Sequence, residues 1–244
     1  MGWKASLIII ENVDGITDEK SILKAIGKSE YQFEKETVLV DCINPNDNSI
    51  TIGFYNGNII ISDDYQITTH SLEQTTKLEL SKEEKRITEL FPKSEIITVA
   101  CHSSMNYHGY SLINNGEKKR IKIISAETPI IEFGERIEEE IEIYKNSYQK
   151  NGINYWKDDY DDEDLTEDQL MEDFTFGVAK RRLGVLIDHS EGEELFENVA
   201  FKKYLPSKSQ ITESEEVKPN KWIKYVIYLI IFLIFRYLSK MIFK

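Results

Sequence analysis

The chain has 244 residues, with 43 acidic against 30 basic side chains and a formal net charge of −13. That balance argues against a nucleic-acid binder, which must neutralise phosphates, while 41% hydrophobic residues and 11% aromatics suffice for a packed core and exclude wholesale disorder. The charge is unevenly placed: residues 218–244 hold six basic residues and no acid, which leaves 24 basic against 43 acidic residues, or −19, in 1–217.

At the N-terminus only four consecutive apolar residues, Leu7 to Ile10, precede Glu11, too few for the hydrophobic region of a signal peptide. Cys42 and Cys101 each close an apolar run and read as buried free thiols, not as a disulfide scaffold. The body is therefore expected to fold in the cytoplasm.

A buried strand is expected over residues 6–12, followed by a helix with Thr17 as N-cap, Ile22, Leu23 and Ile26 inward, and Gly27 as its stop. A second strand is expected over 37–42. Strands over 49–55 and 58–62 flank Asn56-Gly57, a two-residue hairpin signal. Ser81 with Glu84 forms a capping box for a helix that ends before Pro92. A third buried run covers 96–101, and strands over 107–113 and 119–125 surround Asn114-Asn115-Gly116. Thr166 with Gln169 caps a helix carrying Leu170, Phe174 and Val178 on one stripe, and Ser190 with Glu193 starts a last short helix. This order gives an α/β fold class, a mixed sheet with β-hairpins and packed helices, plus a C-terminal transmembrane helix. The expected organisation is an acidic domain over 1–205, a polar tether over 206–221 and an anchor helix over 222–243.

The anchor rests on magnitudes. Eleven uninterrupted apolar or aromatic residues, Tyr225 to Phe235, rise only about 16 Å as a helix, but 222–243 reaches about 33 Å, enough for a hydrocarbon core of about 30 Å. Its thirteen Ile, Leu, Val and Phe residues contribute roughly −4 to −8 kcal/mol to insertion, against about 2.5 to 3.5 for a central arginine. Arg236 is off-centre, and Lys224 and Lys240 sit near the ends, where long side chains snorkel. An interfacial helix would need a polar face, but Tyr225, Tyr228, Phe232 and Phe235 share the arc that holds the cations. Trp222, Tyr225, Phe235 and Arg236 are the expected anchor residues. The expected setting is the inner membrane, crossed once, with the main domain cytoplasmic and the lipid bilayer as one partner.

The sequence lacks a P-loop, a dinucleotide-binding glycine motif, a nucleophile elbow, a HExxH and a CxxC pair. The best remaining cluster is Cys101-His102-Ser103, where the third buried run ends. If the first strands were parallel neighbours, Asn12 and Asp41 would share an edge with His102, since ligands gather at the carboxyl ends of strands. His102 with Ser103 or Cys101 as nucleophile and Asp41 as orienting carboxylate would supply hydrolase or transferase chemistry. Against this, successive residues of a strand point to opposite faces, so Cys101 and His102 cannot simply meet. A metal held by Cys101, His102 and His108 matches no recurrent ligand spacing, so neither a metal nor a cofactor is expected. Residues 158–173 hold ten carboxylates in sixteen positions without a calcium-loop spacing, and read as a solvated acidic surface or a docking face for a basic protein.

The opening Met-Gly-x-Lys and strand, the aromatic-x-Gly-x-x-Ile-Ile turn over 55–61, His102-Ser103 before a hairpin, Ile131-Glu132-Phe133-Gly134-Glu135, and the capped helix over 166–183 together resemble an uncharacterised bacterial family of unknown function. The resemblance covers about 1–190. It implies fold and boundaries and transfers no mechanism; a family role would fall on His102 and Ser103, then on Gly134 and Glu135. The acidic insert at 145–165 and the apolar tail depart from the family. The ligand-binding candidates are thus Asn12, Asp41, His102, Ser103 and Glu135. The expected function is a membrane-tethered, non-enzymatic binding domain, with the hydrolase and an accessory subunit of a membrane complex as alternatives.

Overall fold

The computed structural model describes residues 2–73, 77–126, 128–158 and 163–207. The expected anchor, most of the expected tether and part of the acidic run lie outside the described residues, and among the described residues no helix is long and apolar enough to cross a membrane. The chain divides into two units, Met1–Pro206 and Ser207–Lys244. Pro206 is still part of the last strand of the first unit, one residue into the expected tether.

In chain order the elements are β1 (Lys4–Glu11), α1 (Glu19–Ala25), β2 (Tyr31–Val38), α2 (Leu39–Cys42), β3 (Ile50–Tyr55), β4 (Asn58–Asp63), α3 (Gln66–Glu73), α4 (Lys82–Leu90) and β5 (Ile96–His102). They continue as β6 (Tyr107–Asn114), β7 (Glu117–Ser125), β8 (Thr128–Gly134), α5 (Glu138–Lys145), β9 (Ser147–Lys150), β10 (Ile153–Trp156), β11 (Leu165–Thr166), α6 (Met171–Leu183), α7 (Glu193–Glu197) and β12 (Ala200–Pro206). Nine strands form one sheet in the order β2-β12-β3-β4-β1-β5-β6-β7-β8, and β11-β10-β9 form a small second sheet.

The α/β class holds, but the expected mixed sheet does not: every pairing in the large sheet is antiparallel. Tight hairpins explain much of this. Asn56 and Gly57 take φ of 48° and 72°, and Asn115 and Gly116 take 50° and 75°, the left-handed pair that a two-residue turn requires. β1 lies between β4 and β5 as the central strand, apolar from Leu7 to Ile10.

Side-chain alternation divides β1 between two layers. Ala5, Leu7 and Ile9 face a core with Ile97, Val99, Cys101, Phe174 and Val178, covered by α2, α6 and α7. Ile8 and Ile10 face a core with Ile22, Ile61, Ile87 and Phe91, covered by α1, α3 and α4. Period-2 burial on both faces makes the strand read as a continuous hydrophobic run.

Two local expectations are corrected. Residues 39–42 are helical, with Leu39 and Cys42 inward and Val40 and Asp41 outward, a spacing that suits a helical turn as well as a strand. Asp18, not Thr17, caps α1, accepting from the backbone N–H of Lys20 and Ser21. The Ser81–Glu84 capping box forms as expected. The Thr166–Gln169 box heads a short 3-10 turn that leads into α6.

Candidate functional site

The antiparallel sheet separates residues expected on one edge. β1 pairs Lys4 with His102, so Asn12, just beyond the far end of β1, lies about 25 Å of strand away from His102. Its amide closes the loop after β1 instead, donating to the Ile16 carbonyl and accepting from the Ile16 N–H. Asp41 is exposed on α2, not at a strand end, and makes none of the hydrogen bonds of His102, Ser103 or Cys101. Glu135 lines a shallow open groove with Glu117, Lys119 and Arg136. The expected Asn12–Asp41–His102 edge does not exist.

His102 and Cys101 point to opposite faces. The His102 ring lies 6.0 Å from the Tyr65 ring, and its Nδ1 is 3.2 Å from Ser104 Oγ. Ser103 has different partners: its Oγ is 2.5 Å from Glu172 Oε2 and 3.0 Å from the Trp3 carbonyl. One hydroxyl proton serves one acceptor at a time, and the carboxylate is the nearer. No His102–Ser103–Asp41 proton relay is assembled.

The other face gathers different groups. β5 and β6 pair Cys101 with His108, and residues directly opposite in an antiparallel ladder share a face. The short 3-10 turn Ser103–Met105, closed by Asn106 in the left-handed region, sets that register. Glu172, in the first turn of α6, arrives from the layer above, with its Oε2 3.9 Å from Cys101 Sγ. One ligand-type atom each of Cys101, His108 and Glu172 lies within 4.8 Å of the others. Cys101 Sγ also approaches the Trp3 carbonyl at 3.5 Å and Ser103 Oγ at 3.6 Å.

Burial sets the ionisation of this cluster. It pushes the Cys101 thiol up to about 12, a rise to which the Glu172 carboxylate adds. Burial also lowers the His108 imidazole, against an upward pull from Glu172. A protonated thiol beside a neutral ring is the reverse of the thiolate–imidazolium pair of a cysteine nucleophile. The His108 Nδ1 is shut off from solvent and has no hydrogen-bond partner among the described residues.

Sequence reasoning paired Cys101 and His108 with His102, whereas the structure supplies Glu172. No local signal tied Glu172 to residues some 70 positions earlier; its place after a capped 3-10 turn at the head of α6 is visible only once that helix crosses the sheet. A second buried polar cluster lies on β7. Arg120 and Lys122, alternate residues of β7, are buried under α5, where Arg120 meets Glu140 at 2.5 Å. Lys122 meets Glu167 at 2.5 Å and lies 4.0 Å from the centre of the Phe174 ring. Burial pulls the Lys122 ammonium down, and the Glu167 carboxylate opposes that pull.

The first unit is thus an α/β protein in three layers, an antiparallel sheet between two helical layers, with a thiol, an imidazole and a carboxylate converging beneath α6. No protein-family model, no curated protein and no solved structure matches the chain.

Proposed function

We propose that the chain is a membrane-tethered binding domain of the cytoplasmic face, held by residues 222–243, with no catalytic role for His102 and Ser103. The observation that carries this reading is the eleven-residue apolar run from Tyr225 to Phe235, bracketed by Lys224 and Arg236 and attached through a polar segment to an acidic body. Tethering raises the effective concentration of the body for other membrane components. The partners are the bilayer and a basic or membrane-embedded protein; nucleic acid is not among them. The hydrolase alternative is weakened because His102 contacts Ser104 while Ser103 is engaged by Glu172.

Cell fractionation tests the tether. Full-length protein is expected in the membrane pellet, resistant to high salt, and deletion of 218–244 is expected to release it. A full-length protein that stays in the soluble fraction refutes the anchor. The accessory-subunit reading is favoured by Arg236, a cation within the apolar stretch that would seek an acidic partner. Under that reading Arg236→Leu keeps the protein in the pellet and abolishes co-purification of the partner.

A further inference from the structure

We propose that Cys101, His108 and Glu172 form a zinc-binding site, with a water molecule completing four ligands. The proposal is independent of the membrane tether. A sulfur, an imidazole nitrogen and a carboxylate oxygen are the donor types that zinc prefers, and three protein ligands with one open position is a known zinc arrangement.

The geometry carries the argument. Zinc bonds of about 2.0–2.3 Å at tetrahedral angles place ligand atoms roughly 3.5 Å apart. Here Sγ to Oε2 is already 3.9 Å and all three donors lie within 4.8 Å, so side-chain rotation alone closes the set. Two ligands come from directly paired residues on neighbouring central strands, a rigid base, and the third comes from the first turn of a thirteen-residue helix.

A second observation points to a ligand. His108 is only 5% exposed, yet its Nδ1 has no hydrogen-bond partner among the described residues. An unsatisfied buried polar atom costs about 1–3 kcal/mol. With Nδ1 as the imidazole ligand, a cation between the imidazole, the thiol and the carboxylate removes that cost. Ser103 then acquires a role: its hydroxyl, donating to Glu172 Oε2, orients the carboxylate as outer partners of metal ligands do. On binding, the Cys101 S–H bond breaks, the thiolate forms the sulfur–zinc bond, and the proton passes to solvent.

The test uses full-length, reduced protein stripped of metal with a chelator and titrated with Co²⁺ as a spectroscopic probe. The expected result is a thiolate-to-cobalt charge-transfer band that saturates at one Co²⁺ per chain and is bleached by equimolar Zn²⁺. Cys42→Ser retains the band and Cys101→Ser abolishes it. Absence of the band in the wild-type protein, or its survival in Cys101→Ser, overturns the proposal. Should Cys101→Ser fail to fold, the isosteric and partly exposed Glu172→Gln decides: zinc affinity measured by dye competition falls about tenfold or more, and an unchanged affinity overturns the site.

Discussion

Replacing Lys118 with methionine perturbs an ion pair enclosed in the fold. Lys118 Nζ lies 2.8 Å from Glu84 Oε2, and both side chains are only 2% exposed. Glu84 is also the capping-box acid of α4: it accepts from the Ser81 N–H at 2.6 Å and from the Ser71 hydroxyl at 2.5 Å, so one carboxylate ties α3, α4 and β7 together. At 2.8 Å and an effective dielectric of about 20, the attraction is about 6 kcal/mol, which roughly offsets several kcal/mol of desolvation per ion. The intact pair is therefore nearly neutral for stability, whereas breaking it leaves a buried charge unmatched. Lys118→Met also frees the Ser71 carbonyl, to which Lys118 donates at 2.8 Å. The expected loss is about 3–5 kcal/mol in urea denaturation followed by circular dichroism at pH 7. The double variant Lys118→Met/Glu84→Gln keeps an acceptor for the Ser81 N–H and is expected to recover about 2 kcal/mol of that loss. A single variant within about 1 kcal/mol of wild type, or a double variant worse than the single, refutes the reasoning.

Two further outcomes follow from buried geometry. Burial raises the Asp63 carboxyl, against hydrogen bonds from Ser6 Oγ and the Ile67 N–H. The folded state then holds its proton more tightly than the unfolded state, so the stability from Asp63 is full below about pH 4 and is lost as pH rises through the folded value. The wild-type stability advantage over Asp63→Asn should shrink across that window in urea titrations at stepped pH, and an advantage that grows with pH contradicts the assignment. Gly134→Ala places a methyl group 2.0 Å from the Lys119 carbonyl oxygen at a φ of +87°, and should cost about 3 kcal/mol or more by the same denaturation assay. Gly57→Ala, at φ +72° with open space around it, should cost only about 1 kcal/mol; equal losses would show that the collision at Gly134 is relieved.

Features encoded within four residues were legible in the sequence, as Asn56-Gly57 and the Ser81–Glu84 box show, because turn and cap chemistry is local. Strand β2 is largely illegible in the sequence because Tyr31–Val38 is an edge strand with no buried residue, and its pattern carries no sustained hydrophobic alternation. The β7 charges mislead in the opposite sense: Arg120 and Lys122 look solvent-facing until α5 supplies Glu140. Strand direction was not legible, and with it fell the shared edge of Asn12, Asp41 and His102. At the candidate site, Cys101 and His108 were visible as a cluster around a turn, while Glu172 depended on how α6 crosses the sheet.

The position of β12 has a consequence for the order in which the protein is made. Residues 200–206, the last strand of the body, sit between β2 and β3, and β2 has no other neighbour in the sheet. A growing chain can close the hairpins from β3 to β7 early, but it carries an open β3 edge and an unpaired β2 until the strand that joins them has emerged. Long-range pairing of this kind is slow, and open edges invite pairing with other chains. The sheet is thus sealed only when residues 200–206 emerge, and a chain stopped just short of residue 200 should be aggregation-prone even though nearly all of its core is present.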